Sequence, residues 1–388
     1  MKFFSLKTIF FFISILLPSL GMSQTLARGN TEVVFLNLTP DSRSGALGDA
    51  GVALTPDVNA NYWNPAKLAF LENDNDISLS YSPWLRPLVP DLSLSFLSYA
   101  HKIDERNSIG ASLRYFNYGS TPLTDVYGNS LGTYYPNEFS INGAFSRKFG
   151  DEFSLGLTAG YIHSNYSAGL GQQNRAGNAI AAGVSLYLTN QLQEFNNDAT
   201  FSFGTNISNI GSKISYSDVG IKYFLPANLK IGAANTINLD DFNQITLALD
   251  FNKLLTPTPP IRDGQGNIIA GQDDDISVPE SIFQSFTDAP GGFRAELREI
   301  TISTGLEYWY SQIFALRAGY YYHNLNDPNN VNGGGGGNYL TLGVGVKYAE
   351  FNFDFSYVAA SQQNSALSNT LRFTLIANFG GYKNVNKR

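Results

Sequence analysis

The last strand-like segment of the chain, Leu371-Arg-Phe-Thr-Leu-Ile-Ala-Asn-Phe379, alternates in polarity. Leu371, Phe373, Leu375, Ala377 and Phe379 share one face. Arg372, Thr374 and Asn378 share the other, with Ile376 as the exception. Side chains on a strand repeat every two residues, so this segment is apolar on one side and polar on the other. The pattern recurs. Phe153, Leu155, Leu157, Ala159 and Tyr161 alternate with Ser154, Gly156, Thr158 and Gly160. Ile245, Leu247, Leu249 and Phe251 alternate with Thr246, Ala248 and Asp250, and Phe351, Phe353, Phe355 and Tyr357 with Asn352, Asp354 and Ser356. Such a chain folds as sheet with one oily face.

The N-terminus says what that face meets. Met1–Ser23 reads as a cleaved secretory signal: Lys2 and Lys7 supply charge, Ile9–Leu17 an apolar run, and Gly21 and Ser23 small residues before a cut near Gln24. The run is too short for a membrane anchor. No other stretch approaches the length of a spanning helix, so a membrane location requires a closed barrel. Aromatic residues make up 14% of the chain, suited to interfacial girdles, and the 37 glycines suit tight turns and close packing against a plug. There is no cysteine, so the fold does not rest on disulfides. Removing Lys2 and Lys7 with the signal takes the formal charge from −7 to −9, which argues against a nucleic-acid partner.

Alternation and turn signals predict about fourteen strands, at roughly 75–82, 92–102, 107–118, 135–149, 152–166, 178–189, 199–209, 225–238, 243–253, 299–311, 313–324, 338–349, 351–360 and 369–379. Their connections alternate in length. Ile103–Arg106, Gly150–Asp151, Leu239–Asp241, the turn around Gln312 and Ala349–Glu350 are short. Residues 119–134, 167–177, 210–224, 254–298 and 325–337 are long, and Asn190–Asp198 is intermediate. Outer-membrane barrels pair short periplasmic turns with longer outside loops. The expectation is an all-β fold, a transmembrane outer-membrane β-barrel of about 14 antiparallel strands over residues 75–388.

Residues 24–74 differ. They hold Ser44-Gly-Ala-Leu-Gly-Asp-Ala-Gly-Val-Ala53 and then Asn59-Ala-Asn-Tyr-Trp-Asn-Pro-Ala66. Small residues allow close backbone packing, and Asn-Pro favours a turn. The density of glycine and alanine, with Trp and Leu present, predicts a compact hatch that enters the barrel. Gly45, Gly48, Gly51, Asn64, Pro65 and Ala66 are its expected packing residues.

Candidate chemistry is sparse. His101, His163 and His323 lie on separate strands without ligand spacing, so no metal site is expected. Asp273-Asp-Asp275 lacks the alternate spacing of a calcium loop and reads as a solvated acidic turn. The Gly333–Gly337 run lacks the following Lys-Ser/Thr of a phosphate loop. No Gly-x-Ser-x-Gly marks a nucleophile. No cofactor and no enzyme activity are expected. The candidates for partner contact are apolar residues in outside loops. Trp84, Leu85, Leu88 and Val89 stand among Pro83, Pro87 and Pro90, which stiffen that loop. Ile282, Phe283 and Phe286 have helical spacing at the close of an insert opened by Thr256-Pro-Thr-Pro-Pro260.

Gly45, Gly48, Asp49 and Ala50, followed by the Asn59–Ala66 run, resemble the start of the FadL family of outer-membrane transporters, in which an N-terminal hatch plugs a fourteen-stranded barrel. The chain is more similar to one branch, the PorV (LptO) proteins of type IX secretion. Val33-Val-Phe-Leu36, Pro40-Asp-Ser-Arg-Ser-Gly-Ala-Leu-Gly-Asp49, Tyr62-Trp-Asn-Pro-Ala66, Tyr81-Ser-Pro-Trp-Leu85 and Pro90-Asp-Leu92 carry that resemblance. It implies a non-enzymatic role in the outer-membrane lipid. The implied partners are cargo C-terminal signal domains, the giant translocon barrel (SprA/Sov-like), and an attachment complex with a PorU-type sortase. The FadL resemblance alone implies a transporter of long-chain fatty acids or other hydrophobic molecules.

Overall fold

A computed structural model of the chain describes residues 31–84, 91–166, 175–217, 220–323, 338–360 and 369–380. The segment read as a secretory signal, Met1–Ser23, and Leu85, Leu88 and Val89 lie outside the described residues. In chain order the strands are β1 Asn75–Pro83, β2 Ser93–Lys102, β3 Asn107–Asn117, β4 Thr121–Thr124, β5 Ser130–Tyr134, β6 Asn137–Lys148, β7 Phe153–Asn165, β8 Gly177–Glu194 and β9 Asn197–Gly211. There follow β10 Asn228–Asn238, β11 Asn243–Leu254, β12 Ile261–Arg262, β13 Ile268–Ala270, β14 Thr301–Tyr310, β15 Phe314–Tyr322, β16 Tyr339–Tyr348, β17 Phe351–Ala360 and β18 Leu371–Phe379.

Fourteen of these close a barrel in the order β1-β18-β17-β16-β15-β14-β11-β10-β9-β8-β7-β6-β3-β2. Every neighbouring pair is antiparallel. The pairs β4–β5 and β12–β13 are small separate hairpins in the long connections. Closure leaves no unpaired sheet edge, which is what lets strands cross a hydrocarbon layer. Among the described residues no helix is long and apolar enough to cross a membrane.

The register turns the period-two pattern into two surfaces. Leu375 sits opposite both Leu79 and Phe353. All three side chains are exposed to the outside, as are Leu155, Leu247 and Leu342. The alternate positions, Ser78, Ser80, Ser82, Ser356 and Thr374, are buried inside. Ile376, the break in the last strand's alternation, is buried in an apolar cluster with Val58, Ala60, Leu68, Leu71 and Ala100. The exception therefore packs on the N-terminal segment.

One connection differs from expectation. Asn190–Asp198 is not a loop: the β8–β9 ladder runs on to Glu194 opposite Asn197. Phe195 and Asn196, at φ 53° and 64°, form the hairpin turn, the left-handed pair that matches strand twist. A ribbon standing clear of the barrel needs no apolar face, so its polar sequence hid it. At the opposite end of the same pair the register shifts between Ala182 and Val184. Asn209, at φ 59°, lies in the extra residues on β9.

Candidate functional site

The lumen holds a structured plug between residues 31 and 71, built of helical segments of four to six residues. Ser42–Gly45 starts where the Asp41 carboxylate accepts from Ser44 N at 3.0 Å. Pro65–Phe70 starts where Asn64 Oδ1 accepts from Ala66 N at 3.1 Å, with Pro65 in the first turn where no amide is needed. Glycine is required where the plug meets the wall. Gly48 has φ +67°, and a Cβ there would lie 2.7 Å from the Tyr320 backbone and 2.8 Å from Thr304 O. Within the plug itself, a Cβ on Gly51 would overlap the Trp63 ring.

Polar contacts rivet this segment to the wall on every side. Ser42 N donates to Thr374 Oγ1 at 2.9 Å, and Gly48 N to Thr341 Oγ1 at 2.9 Å. Gly51 N and Val52 N both donate to Asp250 Oδ2, at 2.7 and 2.9 Å. Asn64 Nδ2 reaches Leu186 O at 2.9 Å, and Ala66 O accepts from Ser146 and Ser154 at 2.9 and 2.7 Å. The Arg114 guanidinium caps the carbonyls of Phe35 and Leu38, each at 2.6 Å.

At the centre stands an ion network. Arg43 Nε and Nη2 grip the two oxygens of Glu307 at 3.0 and 2.8 Å. Arg43 Nη1 reaches Asp57 at 3.1 Å. Arg317 Nε donates to the same Glu307 at 2.6 Å, and its Nη1 to Asp354 at 2.6 Å. The bidentate fork is the geometry guanidinium offers to carboxylate. Each charge is desolvated, so its partners are what make its burial tolerable. Two plug groups stand off their ordinary titration. Burial, with Asp57 nearby, pushes the Asp41 carboxyl up to about 6 despite its bond from Trp63 Nε1. Burial brings Lys67, whose Nζ donates to Gly51 O at 2.7 Å, down to about 8.

The outer insert after β11 is braced differently. Lys253 Nζ bridges Glu296 and Glu299 at 3.0 and 2.6 Å. Glu299 Oε1 accepts from Thr258 Oγ1 at 2.7 Å, and Asp288 from Thr258 N at 2.9 Å. Arg262 pairs with Asp274 at 2.6 Å and Asp273 at 3.5 Å, while Asp275 lies 3.7 Å from Lys213. The acidic triplet is thus spent on cations of the insert and the neighbouring loop. Above this base the helix Val278–Gln284 sets Phe283 78% exposed, with Phe286 also exposed just beyond it. Ile282 is half-buried. Pro257 and Pro259 are buried beneath the insert rather than on its surface.

Trp84 requires a correction. Sequence reasoning places it on an exposed loop with Leu85, but only 5% of it is exposed. Its ring meets Phe116 edge-on at 6.1 Å, in a cluster with Phe35, Leu36 and Leu94. The plug's first apolar residues give it a covered place, and loop prolines carry no information about that. Sequence reasoning also missed Phe293 and Leu297, 75% and 52% exposed on the helix Phe293–Arg298. Their four-residue spacing was the available signal. It missed Arg43, Glu307, Arg317 and Asp354 as a network, since charges on four distant segments share no local pattern.

This architecture defines a class: an outer-membrane β-barrel filled by its own N-terminal segment. Residues 23–261 match the family described as "Type IX secretion system protein PorV", and the chain belongs to that family. No curated protein matches the sequence. Among solved structures, the Pseudomonas putida toluene transporter TodX aligns at 13% identity over 91% of this chain and 98% of its own, with a TM-score of 0.47. A Pseudomonas aeruginosa FadL homologue aligns at 11% identity over 89% of this chain and 99% of its own, with a TM-score of 0.42.

Proposed function

We propose that this protein is a non-enzymatic outer-membrane component of type IX secretion that receives cargo on its outer face. Cargo C-terminal signal domains bind its outside loops at the translocon barrel and pass to the surface attachment complex with its sortase. Residues 1–23 are removed on export, 24–74 act as a standing hatch, and 75–388 form the barrel. Family membership supports the secretion role. The observation that carries the surface-binding part is the contrast between a lumen occupied by a riveted plug and apolar side chains, Phe283 and Phe286, held out on a braced insert. Apolar surface that is already ordered loses less entropy on binding a folded domain.

The test is polar replacement, Phe283→Ser with Phe286→Ser. Barrel insertion should be unchanged, and co-purification with translocon or cargo should fall at matched outer-membrane levels. Unchanged yield moves the binding site to the hatch and lumen and revives the transport of fatty acids or other hydrophobic molecules. Orientation is tested separately. Tags at Gly128 and Gly266, in the turns of the two small outer hairpins, should be reached by antibody on intact cells. Tags at Glu105 and Asp241 should not.

A further inference from the structure

The side of the wall on which the insert is clamped decides what its last helix meets. On β11 Leu247, Leu249 and Phe251 are exposed to the outside, while Thr246, Ala248 and Asp250 are buried toward the plug. The ladder to β10 runs without a register shift to the end of the strand, where Lys253 pairs with Leu229. Successive side chains alternate faces, so Lys253 points out of the barrel, one outward step beyond Phe251. It is nonetheless only 6% exposed, because Glu296 and Glu299 close on it at 3.0 and 2.6 Å. The helix Phe293–Arg298 is therefore pinned against the outer side of the wall, just past the last outward apolar residue of β11. That is the border where a barrel's apolar band gives way to lipid headgroups.

The two faces of this helix differ. Ala295 and Glu296, with Glu299 just beyond the end, are buried on the side that covers Lys253. Phe293, Arg294, Leu297 and Arg298 are all exposed on the other. Phe293 with Leu297, and Arg294 with Arg298, are each one turn apart, so an apolar pair and a cationic pair run side by side. Other cations of the insert are matched: Arg262 by Asp273 and Asp274, Lys253 by its two glutamates. Among the described residues Arg294 and Arg298 have neither an acidic partner nor a side-chain hydrogen bond. Two like charges one turn apart repel, and an anion between them removes that cost. The helix with its clamp holds Arg294, Arg298 and Lys253 against Glu296 and Glu299, so its outer face is positive.

Apolar side chains beside lipid, with cations next to them, are the pattern of an interfacial helix: the first seat at the acyl boundary and the second stay at headgroup level. So short a helix does not hold itself at an interface, and here the Lys253 clamp does so. A guanidinium binds phosphate through two parallel N–H bonds.

We propose that the outer face of Phe293–Arg298 is a binding site for a phosphate-bearing membrane lipid, its phosphate held by Arg294 and Arg298 and its acyl chains resting on Phe293 and Leu297. Continuity with the lipid-facing side of β11 and the positive charge of the face favour a lipid over a protein there. The site is separate from Phe283 and Phe286, and it stands whether or not those residues take cargo.

Two measurements on the full-length barrel test this. The chain has no cysteine, so Leu297→Cys offers one attachment point for a fluorophore. In lipid discs, lipid spin-labelled on its headgroup should take away most of that fluorophore's emission. Protein immobilised in neutral detergent is then offered equal amounts of phosphatidic acid, phosphatidylcholine and diacylglycerol with the same chains, and the lipid captured in this pull-down is counted by mass spectrometry. Phosphatidic acid should be captured in preference to both. Arg294→Gln or Arg298→Gln should each weaken its capture by about fivefold, and the two together by about 25-fold. Both arginines are exposed and unbonded, so the double variant should keep its folded band on an unheated gel. Arg262→Gln, whose arginine already has its carboxylates, should leave capture unchanged. Inorganic phosphate should not displace the lipid, which separates a headgroup site from a free-anion site. An unquenched label, equal capture of all three lipids, capture unchanged in the double variant, or displacement by inorganic phosphate each overturns the proposal. A double variant that loses a protein from the pull-down but keeps its lipid assigns the face to that protein and overturns it as well.

Discussion

The plug and the outer insert are both irregular segments tied down by buried ion pairs, yet they are tied to different things. Arg43 in the plug is bound to Glu307 in β14, 264 residues away in sequence. Lys253, at the end of wall strand β11, is bound to Glu296 and Glu299, 43 and 46 residues on, where the insert returns to the wall. The plug is therefore a part of the barrel's interior, since its removal would leave lumen charges without partners. The insert is clamped at its base, where its returning end meets the strand it leaves from. A loop clamped at its base in this way can present side chains such as Phe283 away from the wall.

The sharpest way to break this contrast is to remove the hub. Glu307→Ala leaves Arg43 and Arg317 buried around a missing carboxylate and should cost about 3–5 kcal/mol in urea unfolding from lipid vesicles. Glu299→Gln in the insert should leave that transition within about 0.5 kcal/mol while speeding proteolysis between residues 263 and 299. Equal effects of the two changes would erase the distinction.

The next effect concerns the wall both regions depend on. Arg at outward Leu247 or Leu342 should cost about 2–4 kcal/mol near the bilayer midplane, and Thr158→Ser on the lumen side little. Similar costs on both faces would overturn the register. A smaller effect separates the plug by pH. The Asp41 carboxyl, raised to about 6 by burial, binds its proton more tightly folded than unfolded. Its contribution is present below the unfolded value near 4 and is lost as pH rises through about 6. Hydrogen exchange of the plug amides should therefore quicken across that window, and Asp41→Asn should flatten the slope. Polar replacement of Phe293 and Leu297 should be the mildest change, within about 0.5 kcal/mol in stability, with any loss confined to partner capture in pull-downs.

Much of this was legible beforehand. The fourteen wall strands follow from alternation because lipid imposes one rule on every outward residue, and Leu155 or Phe353 obeys it without reference to any neighbour. The β8–β9 ribbon was hidden because Asn190–Asp198 meets water on both faces, where no pattern is enforced. The glycines of the plug were visible as a cluster, but the reason for each was not: Gly48 is set by the backbone of Tyr320, and Gly51 by the ring of Trp63.

The period of two and the loop lengths determined that this chain is a barrel in a membrane and which side chains face lipid. A period of two is a local property, read from adjacent residues. Tertiary structure alone decided what the polar face is for. Serine, arginine or aspartate pointing inward satisfies the pattern equally whether it meets water or a plug. Closing the barrel brings Arg43 to Glu307, folds Trp84 against Phe116 and the plug's first apolar residues, and buries Arg372 beside Asp49. Those outcomes depend on distances across the lumen, which separation along the chain does not encode.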